Sequence, residues 1–348
     1  MKRFLKAALT IAATLALAAC TTGNNEAQQY TYTPDANNHI DMAVLPDPSA
    51  VTHHINMAVL PGPSALGALY LMDAAENGAS QNTYDISILG SPDEIPPLLI
   101  QGAIDIAAVP TNMASVLHNN PNVDIRALGV ATLGVLHIID TTGYIMAMSD
   151  LAGHTIHLSG LGAAPEFAFN YVLRQNGLEP GVDVYLEFHA EQPQIAALMA
   201  EGIAQIALLP EPFATTVIMQ NEYARHALDL TQEWNRVQPD YSLVMTTIIA
   251  RAEFLYNNPD AIAIFMEEYA RSAAFANDNV DQAAELAVYF GIVPNAAIAA
   301  SALPRSNQVF ITGEHMRGYI HGYLGVLYNE LPQSIGGAMP DEEFYFIP

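Results

Sequence analysis

Lysine is absent from this 348-residue chain after Lys6, cysteine occurs once, at Cys20, and tryptophan once, at Trp234. Each scarcity excludes something. Without a lysine past the first few residues, the body of the chain has no amine to form a Schiff base. A single cysteine rules out an intrachain disulfide and a thiolate metal cage. Positive charge is nearly missing as well. Eight arginines follow Arg3 against 36 acids, and the formal net charge of −25 becomes −28 once Lys2, Arg3 and Lys6 are set aside. Phosphate backbones are bound by clustered Lys and Arg, so no nucleic-acid partner is expected. No stretch after residue 19 reaches the about 18 uninterrupted apolar residues that read as a membrane span. There is no H-E-x-x-H, C-x-x-C or G-x-S-x-G. His154 and His157 stand three apart on a predicted strand and so point to opposite faces. His39, His53 and His54 fall in a duplicated stretch. Neither a metal nor another cofactor is expected.

The N-terminus has the layout of a processing segment. Lys2, Arg3 and Lys6 form a basic start, Ala7 to Ala19 an apolar stretch, and Leu17-Ala18-Ala19-Cys20 closes it. A cysteine placed directly after Leu-Ala-Ala matches the bacterial lipoprotein signal, in which that thiol is acylated after cleavage. Residues 1–19 are therefore expected to be removed and Cys20 to carry lipid. Residues 20–53 are expected to act as a tether outside the cytoplasmic membrane.

What is present is repetition. Leu98-Leu99-Ile100-Gln101-Gly102 leads into Ile106-Ala107-Ala108-Val109-Pro110, with Ala114 and Ser115 following. One hundred residues later Leu198-Met199-Ala200-Glu201-Gly202 leads into Ile206-Ala207-Leu208-Leu209-Pro210, with Ala214 and Thr215 following. Each copy reads as a helix ending at Gly, a buried strand, and a Pro-bearing loop opening the next helix. Apolar strands alternate with helical patterns along most of the chain, which predicts an α/β fold with mostly parallel sheets. Two lobes are expected: 54–140 for the first, 141–242 for the second, and 243–348 returning to the first with C-terminal helices. Ile125–Ile139 and Tyr241–Ala250 read as the long strands that cross between them. A second, tandem repeat lies upstream, where His39–Ala50 is echoed by His54–Ala65. Only the later copy runs on into a helical pattern, so it is taken as the true first strand. It also carries Gly62 where the earlier copy has Asp47, which allows close backbone approach to a ligand.

In doubly wound sheets, ligands sit beyond the carboxyl ends of the strands, where helix N-termini present free N–H groups. That rule selects Pro61-Gly62-Pro63-Ser64, Gly90-Ser91-Pro92-Asp93, Pro110-Thr111-Asn112, Ser159 to Ala164, and Pro210-Glu211-Pro212-Phe213. Ser91 and Asp93 read as helix caps, and Glu166 as an ordinary first-turn acid. Gly160-Leu161-Gly162 is too short for a dinucleotide fingerprint, since the third glycine is missing. Glu211 stands out: a carboxylate between two prolines, just past a buried strand, suits hydrogen bonds from an amine or an aminopyrimidine. It also reads as a dipole partner for the next helix. Tyr70, Phe167, Phe213, Trp234 and Tyr241 could stack on a flat ligand, although core packing accounts for most of them.

Three phrases together, Gly90-Ser91-Pro92-Asp93-Glu94-Ile95, Asp105 to Asn112, and Leu209-Pro210-Glu211-Pro212-Phe213, resemble the solute-binding proteins of ABC importers. The likeness is to the SsuA-like, NMT1/THI5-like group of nitrate, sulfonate and thiamine-precursor carriers, and it runs from about His54 to Tyr345. The resemblance implies a two-lobed type II periplasmic-binding fold with two hinge crossings. It further implies a monomer that closes on one small molecule and delivers it to a permease and an ATPase. It places Ser64, Thr111, Asn112, Gly162, Ala163 and Glu211 in the cleft, with Phe213 beside them. An enzyme branch shares this fold but needs a lysine for pyridoxal phosphate and a cysteine-rich iron motif, so no enzyme is expected. Glu211 favours a nitrogenous, thiamine-pyrimidine-like cargo. A sulfonate or nitrate held by helix N-termini, or a ligand-sensing role, remain as alternatives.

Overall fold

The computed structural model describes residues 52–348. The leader, Cys20 and the earlier copy of the tandem repeat lie outside the described residues. The first sheet is built from β1 (His54–Val59), β2 (Thr83–Ile88), β3 (Ile106–Pro110) and β4 (Ile125–Leu133), separated by α1 (Pro63–Gly67), α2 (Leu69–Glu76), α3 (Ile95–Gln101) and α4 (Thr111–His118). The chain then crosses into β5 (Leu136–Asp140), β6 (Thr155–Ser159), α5 (Ala164–Gln175), β7 (Tyr185–His189), α6 (Gln192–Ala200), β8 (Ile206–Pro210), α7 (Phe213–Gln220), β9 (Arg225–Asp229) and α8 (Leu230–Val237). It returns through β10 (Val244–Arg251) to α9 (Ala252–Asn257), α10 (Pro259–Asp278), α11 (Val280–Tyr289), α12 (Ala296–Ala302), β11 (Gln308–Ile311) and α13 (Gly313–Glu330). No helix of the described residues is long and apolar enough to cross a membrane.

Strand order shows what the internal repeat means. The first sheet runs β11-β4-β10-β3-β1-β2 and the second β7-β6-β8-β5-β9. Laid side by side, β2-β1-β3-β10-β4 and β7-β6-β8-β5-β9 are the same arrangement. In each, three parallel strands are followed by one antiparallel strand that enters from the other lobe. The two crossing strands, β5 and β10, are thus equivalent members of the two sheets. Alternate residues of the first sheet bury on opposite faces: Ile55, Met57 and Val59 meet Phe265 and Tyr269 of α10, whereas Ala107, Val109 and Ala127 face the other way. A parallel sheet covered on both sides requires such doubly apolar strands. One apolar cluster continues from that second face into the other lobe, through Tyr323 of α13, Trp234 of α8 and Phe169 of α5.

Several expectations change. Ile125–Ile139 is two strands, broken at residues 134–135, so Leu136–Asp140 joins the second sheet although the sequence placed the boundary after residue 140. The helical pattern that follows the later tandem copy is interrupted at Ala68, between α1 and α2. Strands β9 and β11 and helix α8 were not anticipated. Both strands are short sheet edges, and β9 (Arg-His-Ala-Leu-Asp) buries only Leu228 fully, which leaves too little apolar alternation to detect.

Candidate functional site

The carboxyl ends of β1, β3, β6 and β8 face one another across the junction of the lobes, and their loops touch at two points. Gly62 adopts φ 93°, a conformation that disfavours side chains. A Cβ there would lie 3.4 Å from the Phe213 ring and 3.8 Å from the carbonyl oxygen of Glu211. Its open face is therefore turned to the opposite lobe. The second contact is Asn112, whose Nδ2 donates to the carbonyl of Gly162 at 3.4 Å and to that of Ser334 at 3.1 Å. The Asn112 Oδ1 is buried without a partner.

The remaining sequence-selected residues divide by what their atoms already do. Ser64 Oγ closes its own turn, donating to the Leu60 carbonyl and accepting the Leu60 N–H at 2.7 and 2.9 Å. Thr111 is fully buried and its Oγ1 lies 3.0 Å from Thr247 Oγ1 on β10. Gly162 sits in the loop before α5 and donates its N–H to Glu166 Oε2 at 2.6 Å, while Ala163 is the N-cap residue of that helix. Ser91 and Glu94 form a capping box. Trp234 is core: its ring lies 5.0 Å from Tyr171 and its Nε1 donates to the Tyr241 carbonyl at 2.6 Å. Tyr241 packs its ring on Gly322 of α13, where any Cβ would overlap it, and Tyr70 stacks on Phe275 at 4.8 Å. These three aromatics are committed to packing.

Glu211 is the centre of an ionisable cluster. It is completely buried, yet only one carboxylate oxygen is satisfied: Oε2 accepts the Thr215 N–H in the first turn of α7 at 3.1 Å. Oε1 has no hydrogen-bond partner and lies 3.6 Å from His226 Nε2, beyond hydrogen-bond range. His137 from β5 packs edge-on against His226 at 4.8 Å. Burial pushes Glu211 up to about 7, against the opposing hydrogen bonds of Thr215 and the charge of Arg305. Burial likewise pushes His226 down to about 4, helped by the neighbouring His137 and Arg305, and lowers His137. Burial thus disfavours the charged form of all three groups.

Among the described residues, two groups of side chains could hold a metal ion. One is His137, Glu211 and His226; the other is His157, Glu187 and His189 on β6 and β7. Neither is visible as a sequence motif, because the ligands come from different strands. The only cue was Glu187-Phe188-His189, two ligand types spaced to share one face of a strand.

No family model matches the sequence, and no curated protein matches it. Solved structures do. An ABC transporter protein of Parabacteroides distasonis is 21% identical with a TM-score of 0.70, over 84% of this chain and 98% of that one. The periplasmic aliphatic sulphonate-binding protein SsuA of Escherichia coli is 14% identical with a TM-score of 0.67, over 86% and 93%. The ligand-binding component of an ABC-type import system from Staphylococcus aureus, with zinc bound, is 14% identical with a TM-score of 0.65, over 85% and 97%. Sequence identity this low carries the fold and nothing finer. The chain has the mixed α/β, two-lobed fold of these periplasmic binding proteins.

Proposed function

We propose that this protein is an extracytoplasmic solute-binding component of an ABC importer, a carrier and not an enzyme. It closes its two lobes on a small molecule and presents the closed form to a permease and an ATPase. The observation that carries this reading is a pair of equivalent loop contacts across the junction, Gly62 against Glu211 to Phe213 and Asn112 against Gly162. Among the described residues, two strand crossings join the lobes' sheets. A ligand that touches both lobes only when they are shut stabilises the shut state through that difference in affinity. The lipoprotein-type leader supports attachment to the outer face of the membrane through lipid on Cys20, with the carrier acting as a monomer.

For the cargo we favour a nitrogenous, thiamine-pyrimidine-like solute. Glu211 Oε1 is a buried acceptor without a donor, and the Gly62 turn of the other lobe lies over its loop. An exocyclic amine reaching it would complete its hydrogen bonding. The alternative, a sulfonate or nitrate anion, rests on the likeness of fold to a protein named as sulphonate-binding. Glu166 weighs against one such site: its carboxylate occupies the Gly162 N–H at the start of α5.

A thermal-shift screen with aminopyrimidines, thiamine, polyamines, taurine, alkanesulfonates and nitrate tests the reading. A ligand at 100 times its dissociation constant adds about 2.7 kcal/mol, a rise of about 4 °C for a chain of this size. An amine-bearing hit whose affinity falls at least about tenfold in Glu211→Gln supports the assignment, since a buried hydrogen bond to a charged group contributes about 1.5–3 kcal/mol. A sulfonate hit unaffected by that variant would transfer recognition to the helix termini and discard the role given to Glu211.

A further inference from the structure

The second titratable cluster lies outside the cleft contacts described above. Strands β6 and β7 pair in parallel with His157 opposite Glu187 and Ser159 opposite His189. Because side chains alternate along a strand, His157, Glu187 and His189 all project from one face of the sheet. It is the face away from Ile156 and Leu158, whose side chains enter the core that includes Phe169 of α5. Strand β7 is an edge of the sheet, and Glu187 is 56% exposed while His157 and His189 are nearly buried at 10% and 8%. The cluster is thus walled by protein on the histidine side and open to water on the carboxylate side.

The same three atoms define its geometry. His157 Nδ1 is 3.0 Å from His189 Nε2, and Glu187 Oε1 is 3.8 Å from the first and 3.7 Å from the second. An imidazole–imidazole hydrogen bond accounts for the shortest side. It does not account for the carboxylate oxygen, which stands equally far from both nitrogens and too far to bond either. The point equidistant from all three atoms lies inside their triangle, about 2.1 Å from each, which is the bond length of zinc to imidazole nitrogen and carboxylate oxygen.

We propose that His157, Glu187 and His189 form a three-ligand site for a divalent transition-metal cation, with zinc the best match to the donor set and spacing. Two imidazoles and one carboxylate suit the borderline first-row metals over calcium or magnesium, which prefer oxygen alone. The fourth coordination position faces solvent along the exposed edge of β7 and takes water. An ion there ties the edge strand to β6. The other histidine–carboxylate group is the weaker candidate, because Glu211 is wholly buried and one of its oxygens is taken by Thr215 N–H.

The test is metal titration of the chelator-treated protein, with Co²⁺ followed by its visible d–d absorption and Zn²⁺ by competition against a chromogenic chelator. One equivalent of Co²⁺ should bind and give the intense absorption of low-coordinate cobalt, and Zn²⁺ should displace it. His157→Gln and His189→Gln should each weaken binding by more than about 100-fold, beyond the 10–100-fold lost when an outer-sphere partner is removed. Glu187 is exposed, so Glu187→Gln keeps the fold and should still weaken binding at least about tenfold. His226→Gln should leave affinity unchanged. No saturable binding, one equivalent retained alike in all three ligand variants, or loss in His226→Gln alone would each overturn the proposal. No organic solute enters this titration, so its outcome is independent of the import reading.

Discussion

Glu211→Gln should make the ligand-free protein more stable at alkaline pH and leave it unchanged at acid pH. The reasoning starts from a carboxyl group that is fully buried and raised from 4.5 to about 7 by that burial. In the unfolded chain it ionises near 4.5, and in the folded chain only near 7. A group whose folded value is raised contributes its full stability below the unfolded value. That contribution declines as the pH climbs through the folded value. The shift corresponds to about 3 kcal/mol at most. Glutamine keeps the acceptor for Thr215 N–H and cannot ionise. The variant should therefore match the parent at pH 4.5 and exceed it by up to about 3 kcal/mol at pH 8. For about 300 residues that is a rise in Tm of about 5 °C.

His226 complicates the parent curve alone, and in the opposite sense. Its folded value is lowered to about 4, so its contribution is present above 6.5 and is lost as the pH falls toward 4. The two slopes oppose each other between about pH 4.5 and 6.5, which flattens the parent profile. Subtracting the variant from the parent at each pH removes the histidine and isolates Glu211. Scanning Tm of both proteins from pH 4.5 to 8 without ligand measures the difference directly. An equal gap at both ends, or a variant less stable at pH 8, would refute the claim that an ionised Glu211 is strained in the closed fold.

Two further outcomes are expected. Gly62→Asp, which restores the residue found at Asp47 in the earlier copy, should lose about 1–3 kcal/mol through the left-handed backbone. It should also push the Phe213 loop away, seen as a larger radius of gyration in X-ray scattering; an unchanged Tm and radius would mean the contact is not tight. Asp140→Ala should cost about 3 kcal/mol. The buried Asp140 carboxylate accepts from the N–H groups of Thr142, Gly143 and Ile145 and pairs with Arg225 at 2.8 Å, joining β5 to β9. Burial would raise its pKa, but these bonds outweigh that and lower it, so its contribution is lost in acid. Thermal melts at pH 7 and pH 3 check both statements: the parent-minus-variant gap should shrink at pH 3.

Much of the architecture was legible because it rests on local patterns. The echo of Leu98–Pro110 in Leu198–Pro210 became the equivalent units α3-β3-α4 and α6-β8-α7, and the later tandem copy became β1. Short edges such as β9 and β11 escaped because each is only four or five residues long and pairs with one neighbour only, and β9 buries only Leu228. The site was partly legible. Glu211 looked anomalous between its prolines, but its neighbours His137 and His226 come from β5 and β9, whose antiparallel register no single stretch of sequence contains. The same holds for His157, set beside Glu187 by the pairing of β6 with β7. Spacing alone pairs His157 with His154, whereas the register of β6 and β7 sets it beside Glu187 and His189. Gly62 was singled out for close approach to a ligand; in the structure the group against it is the Glu211 to Phe213 loop of the opposite lobe.

The equivalence of the two sheets gives Glu211 a sharper meaning. Thr111 follows Pro110 as Glu211 follows Pro210, and the crossing strands pair in the same register, Thr247 opposite Val109 and His137 opposite Leu209. Thr111–Thr247 in one lobe and Glu211–His137 in the other therefore occupy one position of a single scaffold. The first pair is two hydroxyls 3.0 Å apart, a neutral contact that no physiological pH disturbs. The second is a carboxyl group with a value of about 7 beside two imidazoles whose charged form burial disfavours. Both pairs sit where a parallel strand ends against a crossing strand, the place a hinge motion must pass. Duplication supplied the two positions, and only the second lobe's copy carries charge. The titratable member of this duplicated position therefore belongs to the second lobe, and Glu211→Gln removes its charge.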